Sequence, residues 1–174
     1  VNGDSVTVTL EDGREFTADV LLVSVGRGPV TDGIGYQELG ITMDRGYITV
    51  DDHCRTNIPG VWAVGDIIPT LQLAHVGFQE GILVAETIAG LNPRPINYDG
   101  VPRVTYSEPE VASVGLSTKV AKERGYDVVE LDYNLAGNGK AQILKTAGSI
   151  KLIAEKNGPV LGIHMVGARV GELL

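Results

Sequence analysis

The segment of the chain with the most chemical content places an aspartate directly after an apolar run and a glycine. It reads Thr-Asn-Ile-Pro-Gly-Val-Trp-Ala-Val-Gly-Asp over residues 56–66, and Gln-Leu-Ala-His follows at 72–75. Because glycine has no side chain to block a ligand, Asp66 can present its carboxylate to a ligand hydroxyl. Unpaired amides that open a helix near 73–75 suit an anion or an electron-rich ring edge. The alternative is purely structural: Asp66 caps a short helix, His75 begins a packed helix, and neither binds a ligand.

Other patterns in the chain carry less chemistry. Gly26-Arg27-Gly28 starts like a dinucleotide-binding fingerprint, but threonine stands where the third glycine belongs. The three histidines lie far apart, without the spacing of a zinc site, so we expect no metal centre. His164 is expected to be a core histidine bonded to backbone, and Cys54 an incidental thiol whose pKa Arg55 could lower.

Composition limits the possible partners and the source of any redox chemistry. The 174 residues include 22 acidic and 14 basic side chains, and the net charge of −8 argues against nucleic acid and anionic membranes. No apolar run exceeds four residues, whereas a membrane-spanning helix needs roughly 20. No export signal is visible, so we expect a cytoplasmic location. A single cysteine excludes an internal disulfide, so redox chemistry needs a cofactor or residues outside this chain.

Apolar periodicity predicts the elements that must position the aspartate segment. A helix is predicted from about His75 to Ala89, buried on nearly all sides, with Gly90 as its stop. The helix face expected to pack is formed by Phe78, Ile82, Ala85 and Ala89. The other elements predicted before Pro95 are a hairpin at 4–19, a strand buried on both faces at 20–25, and short strands at 47–51 and 61–64.

After a boundary near Pro95 the pattern changes to short strands joined by tight turns. A short helix at 118–124 has Ser117 as its N-cap candidate, and Asn157-Gly158 predicts a hairpin turn. This pattern is typical of an α+β domain with an antiparallel sheet and flanking helices. The predicted strands are 103–106, 112–115, 128–133, 149–155 and 160–166.

Both ends of the chain predict a segment of a longer polypeptide. Val1 is not an initiator methionine, and the chain enters a strand pattern almost at once. Residues 171–174 read as the first turn of an amphipathic helix that cannot yet bury its apolar stripe.

The aspartate segment resembles the second FAD motif of the flavin-dependent pyridine nucleotide-disulfide reductases. Three further segments, 22–29, 106–115 and 162–167 leading to 171–173, are similar to the branch of that family that oxidises dihydrolipoamide. The resemblance covers essentially the whole chain in the family's order. It implies an α/β and α+β fragment: the end of an NAD-binding domain at 1–27, the second half of an FAD-binding domain at 28–96, and a truncated interface domain at 97–174.

The resemblance also implies cofactors, site residues and partners. Asp66 would hold the ribityl chain of FAD, and Gln72, Leu73, Ala74 and His75 would face the pyrimidine edge of the flavin. Gly26 would lie beside NAD, and Val104 would border the nicotinamide pocket through its backbone. The implied partners are a second copy, forming a homodimer through the interface domain, and the lipoyl domains of 2-oxo acid dehydrogenase complexes.

Several family features are missing from this sequence. They are the Gly-x-Gly-x-x-Gly turn for the FAD pyrophosphate, the Cys-x-x-x-x-Cys pair and the catalytic His-Glu pair. The resemblance implies that the longer polypeptide containing this chain oxidises protein-bound dihydrolipoamide with NAD as acceptor. Because the features named above are missing, this fragment alone is expected to be inactive. The alternatives are a sister enzyme of the mercuric or glutathione reductase type, and a non-catalytic dimerisation module.

Overall fold

The structure is a computed structural model that describes residues 3–174, and it begins with the predicted hairpin. Strands β1 (Val6–Thr9) and β2 (Glu15–Ala18) pair antiparallel, with Val8 opposite Phe16. Gly13 takes a φ of 83° in the connecting turn, a conformation that glycine adopts without strain. The sequence prediction for residues 4–19 is confirmed.

The predicted strand at 20–25 is wrong. Residues 19–31 form irregular chain, and Val20, Leu22 and Val25 are 79%, 84% and 92% exposed. The apolar composition is that of a strand buried in a parallel sheet. Within residues 3–174, however, no strand lies beside this segment to complete a hydrogen-bonded ladder.

The middle of the chain forms a small core with little regular structure. Strands β3 (Met43–Asp44) and β4 (Tyr47–Ile48) make a two-residue ladder, shorter than the strand predicted at 47–51. The strand predicted at 61–64 is wrong, because the structure has only a single antiparallel bridge between Arg55 and Trp62 there. The buried residues of this core are Ile41, Ile48, Cys54, Ala63, Ile68 and Leu83.

Helix α1 (Ala74–Ile88) confirms the predicted helix but buries a different face. Its buried residues are Val76, Glu80 and Leu83, at the i, i+4, i+7 spacing of one helix face. The face predicted to pack is exposed, with Phe78 73% and Ile82 50% accessible, so the helix is not buried on all sides. The error arises because an acidic residue lies at the centre of the true inner face, where apolar periodicity cannot mark it.

The C-terminal part is one antiparallel sheet of five strands in the order β5-β6-β9-β8-β7. All five strands match the predicted ones to within two residues at each end, and Asn157 takes the positive φ of the predicted hairpin turn. Their bounds are β5 Arg103–Thr105, β6 Glu110–Gly115, β7 Val128–Asn134, β8 Gly148–Glu155 and β9 Val160–Gly167. The expected fold class, a mixed α/β fragment with an antiparallel sheet and few helices, is confirmed.

Two short helices accompany this sheet. Helix α2 (Thr118–Glu123) is capped as predicted, since the Ser117 hydroxyl accepts a hydrogen bond from the Val120 amide at 3.3 Å. Helix α3 (Gly139–Leu144) was not predicted, and Asn138 caps it by accepting a bond from the amide of Lys140. Within residues 3–174, no helix is both long and apolar enough to cross a bilayer.

Strands β6 and β9 approach each other most closely at a pair of glycines. Gly115 has a φ of 82°, and a Cβ placed on it would collide with the carbonyl of Leu161, while a Cβ on Gly162 would collide with the carbonyl of Leu116. Next to this pair, His164 Nε2 donates to the Leu116 carbonyl at 3.0 Å, which confirms the expected bond to backbone, although His164 is half-buried and not fully in the core. Small residues are therefore required where β6 leaves the sheet.

The Gly115→Ala substitution should destabilise the fold, because it adds a clash with backbone to an unfavourable φ. We expect a loss of about 2 kcal/mol or more in the free energy of unfolding. Gly81→Ala is the matched control: Gly81 lies inside α1 with no heavy atom within 4 Å of an added Cβ. It should be stabilising by about 0.5–1 kcal/mol. Urea unfolding measures both, and equal effects of the two substitutions would contradict the close approach of β6 and β9.

Candidate functional site

Asp66 lies in a tight turn between the apolar segment and α1. The turn is a 3-10 helix over Gly65–Ile67, and Gly65 adopts a φ of 75°, a left-handed conformation that favours glycine. A Cβ on Gly65 would meet nothing within 4 Å, so the space above the turn is open. The Asp66 side chain is exposed, and among residues 3–174 its carboxylate has no hydrogen-bond or ion-pair partner. It is placed to accept hydrogen bonds from a ligand.

The residues after the turn lead into the first turn of α1. Gln72 Nε2 donates to the Asp66 carbonyl at 3.4 Å, which connects the two predicted site segments. Leu73 is the N-cap residue, and no side chain caps the helix there. Ala74 begins the helix and is exposed. The amides of Ala74 and His75 therefore keep their capacity to donate to a ligand, whereas the Val76 amide already donates to the Leu73 carbonyl at 3.0 Å.

His75 connects the start of α1 to the chain before the large sheet. Its Nε2 lies 3.0 Å from the carbonyl oxygen of Pro102. A carbonyl oxygen only accepts, so Nε2 carries the proton and donates. The ring is thus held by backbone, and the amide of His75 points the same way as the other first amides of the helix.

A cavity of about 430 Å³ brings Leu73 and His75 together with the sheet. Val104 of β5 lines the same cavity, so the residue expected at the nicotinamide pocket does adjoin the residues expected at the flavin. The other lining residues are Pro102, Tyr106, Gly171 and Leu174. This cavity has the volume range of a small-molecule or cofactor site.

Gly26 is the predicted site residue that the structure does not bring to the others. It lies in the irregular segment 19–31, with a φ of 107° and no atom within 4 Å of an added Cβ. It is exposed and does not line the cavity beside Leu73 and His75. Its expected contact with NAD therefore stays a prediction.

Glu80 is the residue that sequence reasoning missed. It is 0% exposed, and its carboxyl oxygens accept hydrogen bonds from the Gly65 amide at 2.6 Å and from the hydroxyls of Thr70 and Tyr98 at 2.8 and 3.0 Å. Burial and the adjacent Glu80 raise the pKa of Tyr98, so its hydroxyl stays protonated and can donate. Residue 80 falls between the apolar positions 76 and 83 on one helix face, but an acidic residue at that position interrupts the apolar pattern that would have marked the face as buried.

Cys54 is a free, buried thiol in the core of the middle segment. Its side chain is 2% exposed, and burial, reinforced by the charges of Glu80 and Asp51, raises the pKa of the thiol to about 11. The sequence suggests that Arg55 could lower the pKa of Cys54. The structure gives the opposite direction, because desolvation of the thiol outweighs one neighbouring cation. The expectation of an incidental thiol agrees with this burial.

Comparison with known proteins assigns the chain to a family. Residues 1–81 match the model of the pyridine nucleotide-disulphide oxidoreductases, and residues 101–174 match the dimerisation domain of the same family. The two matches leave only residues 82–100 between them. The chain belongs to the pyridine nucleotide-disulphide oxidoreductases.

Individual relatives agree with this family. Dihydrolipoyl dehydrogenases from Bacillus subtilis and Geobacillus stearothermophilus are 46% and 42% identical over 98% of the chain, which spans 37% of each relative. Among solved structures, LpdA from Mycobacterium tuberculosis matches 99% of the chain and 38% of its own length with a TM-score of 0.86 at 30% identity. The flavoprotein disulfide reductase RclA from Escherichia coli matches 97% of the chain and 40% of its own length, with a TM-score of 0.84 at 26% identity.

The match to the oxidoreductase dimerisation domain falls on the five-stranded sheet. The matched residues 101–174 contain β5 to β9 together with α2 and α3. The aspartate turn and the start of α1 lie in the other matched region, which ends at residue 81. Both regions therefore contribute to the cavity that Leu73, His75 and Val104 line.

Thiol labelling tests the placement of Cys54. In the folded protein at pH 7.5, Cys54 should react with a disulfide reagent at least about 100-fold more slowly than in denaturant, because its thiolate fraction and its access are both low. The control is the same protein in 6 M guanidinium, which should expose one thiol per chain. Rapid labelling of the folded protein would contradict the buried position.

Proposed function

We propose that this chain is part of a dihydrolipoyl dehydrogenase, which oxidises protein-bound dihydrolipoamide to lipoamide and reduces NAD⁺ to NADH through FAD. The observation that carries the proposal is Asp66, an unpartnered carboxylate in a glycine turn beside the uncapped start of α1. Relatives of that name, 37–46% identical across nearly the whole chain, support the substrate. The family description, which names a pyridine nucleotide, supports a nicotinamide nucleotide as the electron acceptor.

The proposed organisation follows the expected domain bounds. Residues 1–27 end an NAD-binding domain, residues 28–96 are the second half of an FAD-binding domain, and residues 97–174 belong to an interface domain. The dimerisation model, which begins at residue 101, supports the last boundary. The proposed partners are a second copy of the polypeptide and the lipoyl domains that carry the substrate.

The residues around Asp66 suit the ribityl chain of FAD. A ribityl chain presents hydroxyl groups, and an exposed carboxylate without a protein partner accepts hydrogen bonds from such groups. The open space over Gly65 lets the chain of a ligand pass close to the backbone. Asp66 would therefore hold the flexible part of the cofactor.

The start of α1 suits the ring of the same cofactor. The amides of Ala74 and His75 have no acceptor among residues 3–174, whereas the Leu73 amide donates to the Leu71 carbonyl at 2.8 Å. The partial positive charge of a helix N-terminus favours electron-rich oxygen and nitrogen atoms. The hydrogen bond from Gln72 Nε2 to the Asp66 carbonyl connects the start of α1 to the residue that would bind the ribityl chain. In the proposed site these four residues face the pyrimidine edge of the flavin.

When bound, FAD supplies the two-electron relay between the dithiol and the nicotinamide. The residues of this chain would bind and orient it: Asp66 would hold the ribityl chain, and the amides of Ala74 and His75 would stabilise negative charge at the ring edge. Val104 would border the nicotinamide pocket, and Gly26 would lie by NAD in the complete domain. The dithiol-exchanging cysteines would come from other parts of the polypeptide, because this chain has a single cysteine and that cysteine is buried. The resemblance implies that the base would come from elsewhere as well.

Replacing Asp66 should weaken FAD binding by the natural polypeptide that carries this sequence. We expect Asp66→Ala to raise the Kd for FAD by about tenfold or more, because the substitution removes charge-assisted hydrogen bonds to the ribityl chain. Asp44→Ala is the matched control, because Asp44 is an exposed aspartate at the end of β3 whose side chain forms a surface ion pair with Arg45. Fluorescence titration with FAD measures both, and equal Kd values for wild type and Asp66→Ala would contradict the proposed site.

The 174-residue chain alone should purify without stoichiometric flavin and should not oxidise dihydrolipoamide, because a single aspartate contact and one helix end cannot replace a pyrophosphate site. Absorbance near 450 nm measures the flavin content. A stoichiometric yellow protein would contradict this expectation.

For the natural polypeptide, reduction of NAD⁺ by dihydrolipoamide is the expected result, and reduction of only other disulfides would favour a sister enzyme.

A further inference from the structure

The buried carboxyl of Glu80 joins three separate pieces of chain. Glu80 itself lies in the middle of α1, the Gly65 amide and the Thr70 hydroxyl lie at the two ends of the aspartate turn, and Tyr98 lies in the segment that leads to the large sheet. No cation among residues 3–174 pairs with this carboxyl, so hydrogen bonds alone compensate its burial. A buried carboxyl without them would be strongly destabilising.

The three hydrogen bonds to Glu80 are not equivalent. The hydroxyls of Thr70 and Tyr98 can donate or accept, and their bonds can reverse if the partner changes. The Gly65 amide can only donate, and at 2.6 Å its bond is the shortest of the three. The geometry at Gly65 therefore demands an acceptor at position 80.

The backbone of α1 also passes close to the turn. A Cβ placed on Gly77, one turn before Glu80 on α1, would lie 3.5 Å from the Gly65 Cα, an ordinary van der Waals distance, so little space separates the helix from the turn. Gly65 also holds a φ of 75°, and its carbonyl accepts from the Ile68 amide at 3.1 Å. The turn thus has an amide, a carbonyl and a Cα all engaged, and Asp66 follows directly.

We infer that Glu80 is a positioning residue for the cofactor: its carboxyl fixes the Asp66 turn relative to the first turn of α1. The two parts that would contact FAD, the Asp66 carboxylate and the amides near His75, are also connected by the chain at 67–72 and by the 3.4 Å bond from Gln72. Apolar packing of Leu83 with Ile68 adds to this connection, but it supplies no acceptor for the Gly65 amide. This inference rests on the proposed FAD site. It assigns no contact between Glu80 and the cofactor.

Two variants of similar size separate acceptor chemistry from packing. Glu80→Gln keeps a carbonyl oxygen for the Gly65 amide, and its NH₂ group can donate to the hydroxyls of Thr70 and Tyr98 once these reverse. Glu80→Met fills nearly the same volume, but its thioether is only a weak acceptor and leaves the Gly65 amide unpaired. The pair therefore differs in hydrogen bonding far more than in packing.

A third variant controls for stability. Leu83→Ala lies one turn further along the same helix face and is also buried, but it has no polar contact with the turn. It should lower the melting temperature at least as much as Glu80→Met, because it leaves a cavity in the core. It should leave the position of Asp66 unchanged.

The experiment uses the natural polypeptide and its variants after the bound flavin has been removed. Titration with FAD gives the Kd, and visible circular dichroism of the rebound flavin reports its environment. Glu80→Met should raise the Kd about tenfold or more and change the dichroism. Glu80→Gln and Leu83→Ala should stay within about threefold of wild type, with an unchanged spectrum.

Three results would overturn the inference while leaving the FAD site intact. They are wild-type affinity in Glu80→Met, a loss in Glu80→Gln equal to that in Glu80→Met, and a loss in Leu83→Ala equal to that in Glu80→Met. A wild-type polypeptide that binds no FAD would instead overturn the proposed function itself. The two failures are therefore distinguishable.

Discussion

The hydrogen bond from the Gly65 amide to the Glu80 carboxyl is the contact on which the candidate site depends. It connects the turn that carries Asp66 to the helix that carries His75, across a core built from residues distant in sequence. Burying a carboxyl in an apolar interior is unfavourable by itself. Glu80 is tolerated there because its carboxyl accepts hydrogen bonds from three donors. The carboxyl, the glycine and the two hydroxyls therefore form one unit, and loss of the acceptor leaves a buried amide unpaired.

Much of the fold could be predicted from the sequence, for reasons that differ between elements. The C-terminal strands alternate or cluster apolar residues and pair with neighbours in the same stretch of chain, as β8 and β9 do around Asn157. The hairpin of β1 and β2 is equally local. The range of α1 followed from its length and from Gly90, which takes the positive φ expected after a helix end.

The errors have physical causes of two kinds. The segment 20–25 has strand composition but no strand neighbour within residues 3–174, and composition cannot supply the missing ladder. The buried face of α1 was misassigned because Glu80 lies at its centre, and an acidic residue is usually exposed. Of the candidate site, the aspartate turn and the helix start were found from glycine placement and resemblance. The residue that joins them was not, because its role depends on Tyr98 and Gly65 meeting it in space.

Amide hydrogen exchange at Gly65 tests this constraint most directly. Gly65 lies in a turn with irregular chain on both sides, where amides without a partner exchange quickly. The account predicts that its amide exchanges as slowly as those in the interior of α1, since it can open only when the turn leaves the helix. Exchange at the rate of an unprotected amide would contradict the account, because the turn would then move independently of Glu80.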